Sequence, residues 1–198
     1  MRRLIAIGAS AGGFQALTQI LGRLPAEFPG SITIVQHRHA DESSLLGELL
    51  AKRSRLPVIE PCHGAVLRPG HVYVAPADYH LLVEPGTLSL SVDPPVNFSR
   101  PSIDVLFETV AAAYGAHAVG VVLTGANADG ALGAARLAAA GAALIVQDPT
   151  TADAPAGPMA ALARVPAAAV LSLAEIAQRI VTLCVESCGE PARTERHE

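Results

Sequence analysis

No long run of basic residues occurs in these 198 amino acids, and the formal net charge is −4. Both features argue against a nucleic-acid groove, which needs clustered lysine and arginine to neutralise phosphates. No apolar stretch approaches the ~18 residues of a membrane-crossing helix. The opening Met1-Arg2-Arg3 followed by Leu4-Ile5-Ala6-Ile7 resembles the start of a secretory signal, but Gly8 interrupts it. A secretory apolar region runs for roughly 7–15 residues, so a cytoplasmic location is expected. The three cysteines, Cys62, Cys184 and Cys188, are too few and too scattered for a disulfide framework. Cys184 and Cys188 would supply half a metal site from one predicted helix. No neighbouring His or Cys pair completes a ligand set, so they read as two small helix residues and no metal is expected.

What the chain does have is core-forming material. Hydrophobic residues make up 51% and charged residues 16%. A single domain of this length buries about 70% of its unfolded surface. Short apolar runs at residues 4–7, 32–35, 119–123 and 143–146 read as buried parallel strands. Helical patterns follow at roughly 12–24, 129–140 and 157–165, with further helices at 41–52, 101–114 and 173–186. The alternation predicts an α/β domain, doubly wound, with a mostly parallel sheet and helices on both faces. Residues 71–75, 81–83 and 88–92 surround Pro76-Ala77-Asp78 and Pro85-Gly86-Thr87, and are expected to form an antiparallel hairpin insertion. Residues 189–198 are polar and aperiodic, and are expected to fray.

Three strand ends carry chemistry. In Gly8-Ala9-Ser10-Ala11-Gly12-Gly13 a strand runs into a glycine-rich turn and a helix, matching G-x-S-x-G. Small neighbours let the turn hold the Ser10 hydroxyl out beside exposed N–H groups at a helix N-terminus. The plainer reading is a structural turn with a serine N-cap. In Val35-Gln36-His37-Arg38-His39, His37 falls where a strand ends and is a candidate general base, with His39 a competitor further out. In Thr124-Gly125-Ala126-Asn127-Ala128-Asp129-Gly130, Asp129 can orient an imidazole or cap the following helix. The order Ser10, His37, Asp129 differs from α/β-hydrolases, where the histidine comes last. The late histidines are poorly placed, His117 before a strand and His197 in the tail. A dinucleotide turn needs G-x-G-x-x-G and an acidic residue about 20 positions on. The glycines here run G-x-x-x-G-G and the second strand ends in Gln36-His37, which disfavours that reading.

These loops resemble the catalytic domain of the chemotaxis protein-glutamate methylesterase family, over roughly residues 4–181. The resemblance rests on Ile7-Gly8-Ala9-Ser10-Ala11-Gly12-Gly13, Gln36-His37, Leu67-Arg68-Pro69-Gly70, Tyr73-Val74-Ala75-Pro76, Pro95-Val96-Asn97, Arg100-Pro101-Ser102-Ile103-Asp104-Val105-Leu106-Phe107 and the stretch from Val119 to Gly130. It implies hydrolysis of γ-glutamyl methyl esters on the cytoplasmic helices of chemoreceptors with release of methanol, and glutamine deamidation in some members. Ser10 would be the nucleophile, His37 the base and Asp129 its partner. The backbone N–H groups of Ala11 and Ala126 would be oxyanion donors, Arg100 would line the substrate site, and no cofactor is implied. Ala11, Ala126 and Arg38 depart from residues common in the family, which bears on pocket shape and substrate preference. Residues 1–188 are expected to form the catalytic domain, with no receiver domain expected before Met1. The partners implied are methylated chemoreceptor helices and a separate receiver or regulatory protein. Two other readings stay open: a serine esterase of this fold acting on another ester, and a catalytically inactive module that binds a receptor or partner.

Overall fold

A strand buried on both faces must be apolar along its whole length, and β1 (Leu4–Ala9) is buried at every position. Its side chains alternate between two cores, Ile5 and Ile7 entering one and Leu4 and Ala6 the other. In the computed structural model, which describes residues 2–38 and 45–189, this strand forms the centre of a seven-stranded parallel sheet. The chain continues through α1 (Gly13–Leu21) to β2 (Ser31–Gln36), then α2 (Leu45–Ala51), β3 (Val58–Ile59), β4 (Ala65–Val66) and β5 (Val72–Val74). The hairpin β6 (His80–Glu84) and β7 (Thr87–Ser91) precedes α3 (Ile103–Tyr114) and β8 (Ala118–Val122). Then come α4 (Ala131–Ala139), β9 (Ala143–Gln147), α5 (Ala156–Arg164), β10 (Ala169–Leu171) and α6 (Leu173–Gly189).

The strand order is β10-β9-β8-β1-β2-β5-β3. Residues from α1, α2 and α6 pack into the core on one face of the sheet. Those from α3, α4 and α5 fill the core on the other, together with the small antiparallel sheet β4-β7-β6. The doubly wound, mostly parallel architecture with an antiparallel insertion is therefore present. Because β2 lies on one side of β1 and β8 on the other, the crossover direction reverses at β1. That reversal opens a crevice at the carboxyl ends of β1, β2 and β8, where ligands of such sheets bind.

One strand sits elsewhere than expected. The local pattern puts residues 71–75 in the antiparallel excursion, but β5 pairs parallel with β2 through Ile32–Val72, Thr33–Tyr73 and Ile34–Val74. Val72, Tyr73 and Val74 are all buried, which is the pattern of a parallel strand rather than a half-exposed hairpin. The turn that leads to β6 follows it, with Asp78 in the left-handed region at φ 63°. Strands β3, β4 and β10 have only two or three residues, too few for any periodicity to register in sequence. Of the predicted helix at 41–52, α2 covers Leu45–Ala51, and residues 41–44 lie outside the described residues. Gly189 still belongs to α6, and the rest of the expected frayed tail lies outside the described residues.

Gly130 is one of the close approaches between α3 and α4. It caps α4 at φ 96°, and a Cβ there would come within 2.6 Å of Ile103 Cγ2. Gly130→Ala is expected to destabilise the fold by about 2 kcal/mol or more, since backbone strain and overpacking add. A urea midpoint unchanged from the native protein would contradict this.

Candidate active site

Ser10 is held by backbone bonds on both sides. Its N–H donates to Thr124 O at 2.9 Å, while its carbonyl accepts from Gly13 N at 2.8 Å and from Gln36 Nε2 at 2.8 Å. The Thr124 hydroxyl donates to Ala11 O at 2.8 Å, so the loops after β1 and β8 are tied together. The cap of α1 is Gly12, in the left-handed region at φ 77°, with no side-chain cap. Ser10 is thus not the N-cap, and its hydroxyl is left for other work. The Asp153 side chain sits where a Cβ on Gly12 would be.

The imidazole of His37 lies between Ser10 and Asp129. Its Nδ1 is 3.2 Å from Ser10 Oγ and its Nε2 is 2.7 Å from Asp129 Oδ2. A carboxylate can only accept, so the shorter contact puts the ring hydrogen on Nε2. That leaves the Nδ1 lone pair facing the serine hydroxyl. The His37 side chain is 12% exposed and that of Asp129 is 0% exposed.

Asp129 does not cap its own helix, because Gly130 occupies that position. Its carboxylate reaches instead to the start of α3. Oδ2 accepts from Ile103 N at 2.7 Å as well as from His37. Oδ1 accepts from Ser102 Oγ at 2.8 Å, Asn97 Nδ2 at 2.9 Å and Asp104 N at 3.2 Å. Burial alone would push this carboxyl up. The hydrogen bonds from His37, Asn97, Ile103 and Ser102 outweigh burial and hold it below its ordinary value.

Asn97, Ser102 and Asp104 carry the expected site but had no role in the sequence reading. All three lie in the segments that resemble the family, and no local pattern marks them otherwise. Ser102 also caps α3, and its N–H donates to Nδ1 of buried His80, whose Nε2 donates to Pro94 O. Asp104 accepts from Gly130 N at 2.9 Å and Gly133 N at 2.7 Å, the first turn of α4. Asn97 Nδ2 also donates to Asp104 Oδ2 at 2.8 Å.

The remaining candidates divide. Ala11 and Ala126 are exposed, and their N–H groups meet no acceptor among the described residues. Arg100 is committed elsewhere, with its Nε and Nη2 on Asp78 Oδ1 at 2.9 and 2.6 Å and its Nη1 on the carbonyls of Val92 and Asp93. It clamps the loop that carries Asn97. His117 ends a short 3₁₀ turn that feeds the amino end of β8, the edge opposite the crevice. His39 and His197 lie outside the described residues.

The pattern that defines CheB methylesterases matches residues 5–180 of this chain. The chain belongs to the CheB methylesterase family. A Burkholderia lata protein named protein-glutamate methylesterase/protein-glutamine glutaminase 2 is 44% identical over 182 residues, covering 90% of this chain and 53% of that protein. A Leptospira interrogans relative, whose name carries the same two activities, is 43% identical over 180 residues, covering 90% of this chain and 93% of that one. This chain thus spans about half the length of the Burkholderia protein and nearly all of the Leptospira one. The crystal structure of the Thermotoga maritima CheB methylesterase catalytic domain superposes with a TM-score of 0.88 at 30% identity, covering 92% of this chain and 99% of that structure. The match extends the family's fold to nearly every element described above. Among the described residues no helix is long and apolar enough to cross a membrane.

Two predictions follow from the carboxylate's surroundings. The folded-state pKa of Asp129 lies below its unfolded value of roughly 3.9, so its ionisation contributes stability in full above that value. That contribution is lost as pH falls through the lower folded-state pKa. Asp129→Asn removes it, so the slope of urea midpoint against pH below about 4 should be shallower in the variant. Parallel slopes would contradict the linkage. Asn97→Ala leaves two neighbouring carboxylates without their shared donor. The folded-state pKa of Asp129 then rises toward its unfolded value, so the variant should be less stable at neutral pH and should lose less stability below about pH 4 than the native protein, measured the same way.

Proposed function

We propose that this chain is a serine hydrolase that demethylates glutamate methyl esters on the cytoplasmic helices of chemoreceptors, releasing methanol. The observation that carries the reading is the unbroken line of hydrogen bonds from Ser10 through His37 to Asp129, at a crevice fed by three strand ends. Family membership and the names of its relatives supply the substrate class.

Ser10 Oγ attacks the ester carbonyl carbon while His37 Nδ1 accepts the hydroxyl proton. The positive charge that forms on the imidazole is offset by Asp129, which stays ionised because its donors hold its pKa down. The oxyanion of the tetrahedral intermediate meets the N–H groups of Ala11 and Ala126 and the positive end of α1. Collapse expels methoxide, which takes the proton back from His37 and leaves as methanol. Water then attacks the glutamyl-Ser10 ester with His37 again as base, giving the free glutamate side chain and restoring Ser10. An amide enters by the same route and leaves as ammonia, so glutamine deamidation needs no additional group. Chemoreceptor helices are cytoplasmic, and this reading places the chain there, with residues 1–188 as the catalytic unit. Arg100 contributes to the site by holding the loop around it.

The test is methanol release from methylated chemoreceptor cytoplasmic fragments. The native chain should release methanol, and Ser10→Ala should lose on the order of 10⁴–10⁶-fold in kcat with its fold retained. A folded Ser10→Ala variant of undiminished activity would refute the nucleophile.

A further inference from the structure

The turn at residues 96–99 faces two ways. Val96 and Ser99 exchange both backbone hydrogen bonds, at 3.1 and 2.9 Å, and close a two-residue loop. Asn97 and Phe98 both occupy the left-handed region, at φ 51° and 61°. A two-residue hairpin with positive φ at both positions matches the twist of its flanking strands. Asparagine tolerates that conformation, whereas phenylalanine, with its bulky side chain, is strained in it. The Phe98 ring is also fully exposed, and Val92 and Val96 beside it are exposed apolar residues. Phe98 therefore carries two costs that nothing in the described chain offsets.

Its place on the molecule says what offsets them. Asn97, the inward residue of the same turn, donates to Asp129. Only three hydrogen bonds, of 3.2, 2.7 and 2.9 Å, lead from Ser10 to Asn97. The loop is pinned again by Arg100 on Asp78 and by Ser102 on Asp129. Phe98 is thus mounted at the rim of the site on a support that shares its anchors with the reacting groups. A protein substrate that brings a side-chain ester to Ser10 must lay its neighbouring residues across this rim. A helix advances 5.4 Å per turn, so a side chain one or two turns from the ester lies about 5–11 Å along the helix and on nearly the same face. Asp78 and Asp93 lie beside the turn and the chain is net negative, which disfavours nucleic acid or an anionic membrane as the occupant.

We propose that Phe98 is a specificity-determining residue that docks an apolar side chain of the ester-bearing helix, one or two turns from the modified residue. The inference rests on the proposed function and adds to it the feature by which this chain selects a helical protein substrate over a small ester.

The test uses the full chain with Phe98→Ala, Phe98→Leu and Phe98→Gly, each assayed on methylated chemoreceptor fragments and on p-nitrophenyl acetate. Phe98→Ala should lower kcat/KM on the receptor fragment about 10-fold or more, chiefly through KM, since a buried apolar contact is lost. Phe98→Leu should retain most of the native value, and all three should hydrolyse the small ester at the native rate. Phe98→Gly, freed of the positive-φ strain, should melt no lower than the native protein. Native kcat/KM on the receptor fragment in Phe98→Ala would overturn the proposal, and so would an equal loss on both substrates, which would mark the turn as support for the site alone. A native dimer that Phe98→Ala dissociates would overturn it in favour of self-association. A native chain that cleaves the small ester but releases no methanol would instead refute the substrate reading itself, and the docking inference with it.

Discussion

The carboxylate of Asp129 accepts from Ile103 N, Asp104 N, Ser102 Oγ, Asn97 Nδ2 and His37 Nε2, and much of the molecule is arranged around satisfying it. Asp129 comes just before α4 but meets the amino end of α3. Asp104 lies in the first turn of α3 but meets the amino end of α4. Each helix thus supplies the acid that satisfies the other's free N–H groups, and one amide nitrogen, from Asn97, bridges the two. Helix N-termini carry partial positive charge and unpaired donors, so this exchange stabilises both ends at once. It also sets the geometry of α3 against α4, for neither helix can slide without breaking the bonds of its partner.

The same arrangement resolves a conflict between burial and charge. An unpaired carboxylate with no exposed surface would be driven toward its neutral form. A neutral Asp129 could not offset a positive imidazole. Because its donors are backbone and side-chain groups of packed helices, they are already oriented and need no reorganisation when charge moves in the site. The acidic partner of His37 is therefore a product of helix packing as much as of the loop that carries it.

At the other end of the hydrogen-bonded line, Ser10 depends on the backbone. Its N–H is bound to the loop after β8 and its carbonyl to Gln36 at the end of β2. The hydroxyl is therefore positioned by the two strands that flank β1 in the sheet. Small residues are required where these loops meet. Asp153 occupies the space where a side chain on Gly12 would go, and the Cβ of Ser10 lies 3.2 Å from where one on Gly125 would begin.

How much of this was legible beforehand depended on the range of the interaction. The strands at the centre of the sheet were readable because burial on both faces demands unbroken apolar runs, as in Leu4-Ile5-Ala6-Ile7 and Val119-Gly120-Val121-Val122-Leu123. Ser10, His37 and Asp129 were readable because each stands where such a run gives way to a turn. Short elements were not: β3 and β4 are two residues each, and β5 changes sheet on the strength of its partner rather than its pattern. By itself the sequence determined the α/β alternation and the standing of Ser10, His37 and Asp129 where strands give way to turns, since both are set by local pattern. Tertiary structure alone decided that Asp129 caps α3 and not α4, that Asn97 bridges two acids and that Arg100 clamps a loop. The deciding bonds, from Asn97 and Ile103 to Asp129 and from Arg100 to Asp78, join residues 22 to 32 positions apart, and no local rule of spacing or propensity links such pairs until the helices have packed.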